Sequence, residues 1–249
     1  MRREIVVACM LLCAACEASI DGGRKNSDVT DASSSGDDGS TTQIDAAPTC
    51  SSRVVYLNFE GQTLMDAVAS DATLNRASWL NKASGTATPF QQGVGNRAQI
   101  IADITTGVRG ALSQFPITVV TTRPATGPYV MIVYGGNATD VGSNYGFAVN
   151  ELDCNESEKS DVAWISNNYT TTLRHVNTTL GAIGFGLGLT ATNDVNDCMC
   201  GWANGCVKDH SQLCTLNTNI ARDPGAQQTC QGVGATQNEV AAFTAAFCQ

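Results

Sequence analysis

Residues 171–200 read TTLRHVNTTLGAIGFGLGLTATNDVNDCMC, and the reading of this stretch decides the fold. Leu173, Val176, Leu180, Ile183 and Leu187 recur three or four residues apart, the spacing that gathers side chains on one stripe of a helix. The stripe predicts a helix over residues 172–189. Within it stand Gly181, Gly184, Gly186 and Gly188, four glycines in eight residues. Each glycine in a helix interior costs about 1 kcal/mol relative to alanine. A run this dense points to a backbone that must approach a neighbour closely or turn. Met199 follows eight residues beyond Ala191, in a Cys- and Gly-rich segment that shows no period.

Working outward, Val55, Leu57 and Phe59 alternate with Val54, Tyr56 and Asn58, which predicts a strand over residues 53–60 ended by Gly61. Residues 61–95 read as a long, polar, weakly patterned connection. Ile101, Ile104, Val108, Leu112 and Phe115 predict an amphipathic helix over residues 97–115, stopped by Pro116. Further strands are expected at residues 117–122, 129–134, 145–149 and 161–166, and a closing helix at residues 236–247. Strand, helix, four strands, helix, irregular segment and helix make an α+β arrangement around one mixed sheet.

At residues 181–191 the sequence GAIGFGLGLTA resembles the H-E-x-G-H-x-L-G-L-x-H motif of metzincin zinc peptidases, matrixin-like ones especially. Gly184, Leu187, Gly188 and Leu189 match its scaffold positions, and Met199 stands where the family carries its Met-turn. The resemblance implies a metzincin-like fold: a five-stranded mixed sheet with an active-site-type helix, a Met-turn and a C-terminal helix. The chemistry-bearing positions depart from it. The family's three histidines would fall at Gly181, Phe185 and Ala191, and its general base at Ala182. Two ligands four apart share one helical face, a third arrives after the chain turns, and a carboxylate takes the proton from metal-bound water. Glycine, phenylalanine and alanine side chains do none of this. The degenerate positions Gly181, Ala182, Phe185 and Ala191 therefore imply a ligand-less centre, with no catalytic residue and no metal. Phe185 is expected to fill the space of the metal as an apolar plug.

Of the two histidines, His175 lies six residues before Gly181, off the ligand face, and reads as a surface or packing residue. His210 sits beside Asp209 in the Cys-rich segment and reads the same way. No G-x-S-x-G stands between a strand and a helix, so a serine hydrolase is unsupported.

At the N-terminus, Arg2 and Arg3 precede the apolar run IVVACMLL, far shorter than the ~20 residues that span a bilayer. Cys13-Ala14-Ala15-Cys16 then resembles a bacterial lipobox, with Cys13 where leucine is usual and Cys16 as the lipidated residue. Ordinary signal cleavage nearby is the alternative. Residues 1–15 are expected to be a signal peptide and residues 16–49 a flexible Ser/Asp/Gly-rich tether, leaving residues 50–249 as the domain. Membrane contact through the lipid, at the bacterial outer membrane or cell surface, is the expected location; secretion is the other.

Eleven cysteines lose Cys9 and Cys13 with the signal peptide and Cys16 to lipid, leaving Cys50, Cys154, Cys198, Cys200, Cys206, Cys214, Cys230 and Cys248. An even set in an exported chain reads as four disulfides of unknown connectivity. A metal site at Cys198, Cys200, Cys206 and Cys214 is the competing reading, disfavoured because structural zinc sites space their paired cysteines by two residues. The net charge of −9 and the lack of any basic run exclude nucleic acid as a partner.

Together these readings imply an exported, catalytically inactive, metallopeptidase-like domain with a binding or structural role and no cofactor. The partner its cleft would admit is an extended polypeptide. The alternatives are an active zinc metallopeptidase using unrecognised ligands, and an unrelated disulfide-stabilised α+β surface domain.

Overall fold

A computed structural model describes residues 52–245. The expected signal peptide, the expected lipidation site Cys16, the expected tether, Cys50 and Cys248 lie outside the described residues. Strand β1 (Arg53–Asn58) forms where the sequence alternates, and side chains two apart separate cleanly onto the two faces of the sheet. Val55 and Leu57 join the buried cluster on one face, Tyr56 that on the other. Helix α1 (Arg97–Leu112) follows, burying Ile104, Val108 and Leu112, each worth about 1.5–3 kcal/mol out of water. It stops before Pro116, three residues short of the expected end.

The chain then adds β5 (Ile117–Val120), β6 (Tyr129–Tyr134), β7 (Ala148–Val149) and β8 (Val162–Ile165). The sheet order is β5-β1-β6-β8-β7, with four parallel strands and an antiparallel β7 at the edge. A five-stranded mixed sheet in an α+β fold is thus present. Every residue of β6 and β8 is buried, as central strands covered on both faces require.

Helix α3 (Thr172–Gly186) packs against α1 on one face of the sheet, after the short α2 (Ala138–Val141) in the β6–β7 connection. Thr171 caps its N-terminus, accepting a hydrogen bond from the Arg174 amide. The expected end at residue 189 is corrected to Gly186. Gly188 takes φ +77°, and the Leu189 amide donates back to the Gly184 carbonyl at 3.0 Å. A left-handed residue ends a helix because it turns the last carbonyls onto returning amides.

The opposite face is covered where no structure was expected. Residues 61–95 form a small sheet, β3-β2-β4, from β2 (Gln62–Asp66), β3 (Arg76–Ala77) and β4 (Ser84–Ala87). Leu64, Trp79 and Leu80 close the second buried cluster against Met131, Val133 and Trp164. These strands are two to five residues long and mostly exposed, too short for a period to register.

Beyond α3 the chain is irregular apart from the pair β9 (Ile220–Ala221) and β10 (Thr236–Gln237), then α4 (Glu239–Ala245). The expected helix over residues 236–247 is therefore preceded by a strand. Disulfides join Cys154 to Cys230, Cys198 to Cys214 and Cys200 to Cys206, so these six cysteines hold no metal. Among the described residues no helix is long and apolar enough to cross a membrane.

Candidate functional site

Helix α3 runs beneath the Cys-rich segment, and its glycines are where the two meet. A Cβ at Gly184 would lie 2.7 Å from Met199 Sδ, so the methionine thioether sits directly on the helix backbone. Met199 is fully buried, with its amide donating to Asp197 Oδ1 at 2.8 Å. A Cβ at Gly181 would lie 2.0 Å from Trp202 Nε1 and 2.6 Å from the Cys198 carbonyl oxygen. Only glycine leaves room there for the indole.

Phe185, one helical turn on, is buried, with its ring centroid 5.4 Å from that of Trp202. Two aromatic rings thus fill the space above positions 181 and 185. Trp202 was not singled out in the sequence, yet it is the residue that stands over Gly181. Phe185 lies behind it in the core. Ala191 is fully buried next to Thr192, which bridges Cys200. Gly181, Phe185 and Met199 converge with Trp202, and Ala191 lies one residue from the strand-like contact that anchors the same loop.

Ala182 faces the other way. Its carbonyl accepts from Asn150 Nδ2 at 2.9 Å, and the same amide donates to Asp161 Oδ2 at 2.6 Å. Burial pushes the Asp161 carboxyl up to about 7, against the opposing pull of Asn150 and the Val162 amide. A Cβ at Gly186 would lie 2.2 Å from Asp161 Oδ2, so the helix leaves space for this acid.

A second buried network supports the Met199 turn from below. Asp197 accepts from Thr192 Oγ1 and Asn217 Nδ2 as well as the Met199 amide. Glu239, also fully buried, accepts from the Asn217 amide and Gln237 Nε2. Burial, then the neighbouring Asp197 charge, pushes Glu239 up to about 8. Lys208 reaches in to donate to the Cys198 carbonyl, and burial brings its ammonium down to about 7.

A cleft of about 490 Å³ opens between the β7 edge, the first turns of α3 and the Cys200–Cys206 loop. Phe147, Tyr169, Arg174, Trp202, Lys208 and His210 are among its lining residues. Phe147 and Tyr169 stack at 5.6 Å with 7° between their planes, and the Arg174 guanidinium lies 4.6 Å from the Tyr169 centroid. His210 enters from the opposite wall, and its Nδ1 is buried with no hydrogen-bond partner. Burial first, then the Arg174 and Lys208 charges, lowers its imidazole to about 4. His175 is a core residue: 2% exposed, Nδ1 2.9 Å from the Thr171 carbonyl, its ring edge-on to Phe90 and Tyr169.

The cleft offers a stacked aromatic wall with one guanidinium lying on it, a strand edge, and the indole of Trp202 in its wall. Among the described residues no cluster of three or more His, Cys, Asp or Glu side chains is placed to hold a metal ion. No protein-family model matches the chain, and no curated protein matches it.

Proposed function

We propose that this chain is an exported, lipid-anchored domain of metzincin (matrixin-like) descent that holds an extended polypeptide in its cleft and does not cleave it. The observation that carries the reading is the seat of Trp202: its indole rests on Gly181, with Phe185 behind it, at two positions where the motif would call for histidines. Zinc does not fit these residues. A ligand at position 181 would collide with the indole and with the Cys198 carbonyl, and glycine, phenylalanine and alanine supply no donor.

The surrounding scaffold supports the descent. The mixed five-stranded sheet ends in an antiparallel edge strand, the chain turns at Gly188 just beyond the end of α3, and Met199 lies against the helix at Gly184. β7 pairs only with β8 within the sheet, so its outer edge is the side from which an extended chain would add. The cleft beside that edge, with Trp202 in its wall, favours this reading over an unrelated surface domain. Three disulfides accord with export to an oxidising compartment.

The test is metal content and hydrolysis measured together. The full chain, dialysed against zinc and then gel-filtered, should carry no stoichiometric zinc and leave casein intact over long incubation. One zinc per chain with chelator-sensitive casein hydrolysis would overturn the proposal.

A further inference from the structure

We infer that the cleft selects its polypeptide by a carboxylate, an Asp or Glu side chain received by Arg174 and His210. The inference rests on the reading that the cleft holds an extended chain, and names what that chain must carry. Among the described residues lining the cleft there is no Asp or Glu, although the chain as a whole carries a net charge of −9. Arg174, Lys208 and His210 line it together; burial first, then the two cations, disfavours a proton on the imidazole. Two cations facing one cleft are relieved by an anion.

The three basic residues are not equivalent. Lys208 is turned inward to the Cys198 carbonyl and feels Asp197 and Glu239 behind it. Asp209, next to His210, is occupied by Ser211, whose amide and hydroxyl donate to it at 2.8 and 3.0 Å. Arg174 alone has its charge unanswered: among the described residues no carboxylate pairs with it, and its Nε is buried without an acceptor. Its guanidinium lies over Tyr169 and, at 5.7 Å, over Phe147. The two rings hold the guanidinium at the cleft wall, within reach of a planar acceptor brought into the cleft. A carboxylate meets a guanidinium with two parallel hydrogen bonds.

Position adds a second argument. Phe147 immediately precedes β7, and its carbonyl accepts from the Ser166 amide at 2.8 Å, which locks this segment to the sheet. A chain laid along the outer edge of β7 turns every second side chain toward the same face. The Phe147–Tyr169–Arg174 wall stands at the start of that edge. His210 lines the same cleft, and its buried Nδ1 has no protein partner.

The experiment compares two pools of short, C-terminally amidated fluorescent peptides of Ala, Val, Thr and Ser, one with a central glutamate and the other with glutamine. Binding to the full chain is read by anisotropy. The glutamate pool should bind about tenfold tighter or more, the ratio that one charge-assisted hydrogen bond supplies. Arg174→Gln should erase the difference by weakening the glutamate pool to the level of the glutamine pool, and Arg174→Lys should restore it only in part. His210→Ala should narrow it independently. Equal binding of both pools to the unaltered chain would overturn the carboxylate inference and leave the cleft reading standing. Failure of both pools to bind would overturn the cleft reading and the inference with it.

Discussion

Replacing Gly181 by alanine adds one methyl group, and its effect reads directly whether the indole sits on the helix. Alanine is the better helix former by about 0.8–1.0 kcal/mol, so intrinsic propensity alone predicts a gain. Against it, the new Cβ would stand 2.0 Å from Trp202 Nε1 and 2.6 Å from the Cys198 carbonyl oxygen. The first neighbour is a rigid ring and the second is backbone, so neither yields without moving the loop. Overpacking of this kind costs roughly 1–3 kcal/mol, and contact with backbone belongs at the upper end. The net expectation is a loss of about 1–2 kcal/mol. Gly110, near the end of α1, is the internal control, because a Cβ there meets nothing within 4 Å. Gly110→Ala should stabilise by about 0.5–1 kcal/mol. The two variants should therefore differ by about 2 kcal/mol, a gap of the order of 1 M in urea midpoint when the slope is near 2 kcal/mol/M. Equilibrium unfolding in urea without reductant measures it. The double variant Gly181→Ala/Trp202→Ala should show a coupling of about 0.5–3 kcal/mol, since removing the indole relieves one of the two collisions. A Gly181→Ala midpoint as high as that of Gly110→Ala would refute the seat of Trp202 and the plugged site built on it.

Two further outcomes follow from the buried acids and the bridges. Asp161 and Glu239 hold their protons to about 7 and about 8 in the folded state, above their ordinary values of 3.8 and 4.5. The unfolded chain releases these protons earlier, so the stability present below about pH 4 should fall as pH rises toward 7, by on the order of 4 kcal/mol for Asp161 alone. Lys208, brought down to about 7, is charged in both states at the acid end of that window; near pH 7 it begins to lose its proton in the folded state and opposes the fall there. Asp161→Asn should flatten the profile of urea midpoint against pH, and an unchanged slope would refute burial as its cause. Among the disulfides, the loss of Cys154–Cys230, with a separation of 76, should destabilise by about 4 kcal/mol, and the loss of Cys200–Cys206, with a separation of 6, by about 2 kcal/mol. Alanine pairs at each bridge check the order, and the reverse order would show that chain entropy does not govern them.

What the sequence revealed, and what it hid, follows from the range of each interaction. β1 and β6 were legible because long apolar runs fill both faces of a central strand, and α3 because its stripe repeats over four turns. The glycines of α3 announced close contact without naming the partner. That partner, Trp202, stands in a segment with no period, held by bridges whose pairing no spacing reveals. The small β3-β2-β4 sheet escaped notice because its strands expose most of their residues. Arg174 carried no signal in the sequence. Its role depends on Phe147 and Tyr169 arriving from the β7 and β8 connections, a meeting that only the folded chain makes. Phe185 was expected as an apolar plug in the ligand space; the ring is buried there, and what the sequence did not announce is the indole from a distant loop beside it.

The Cys154–Cys230 bridge also changes what a cut would mean. Residues 155–229 include α3, Trp202 and both other disulfides, so a protease that severs any one peptide bond in that span produces two fragments that stay joined. A second cut inside the span frees only the stretch between the two cuts, and reduction of the bridge is what parts the outer pieces. After a first nick, α3, Trp202 and the Cys-rich segment therefore remain covalently tied to the sheet.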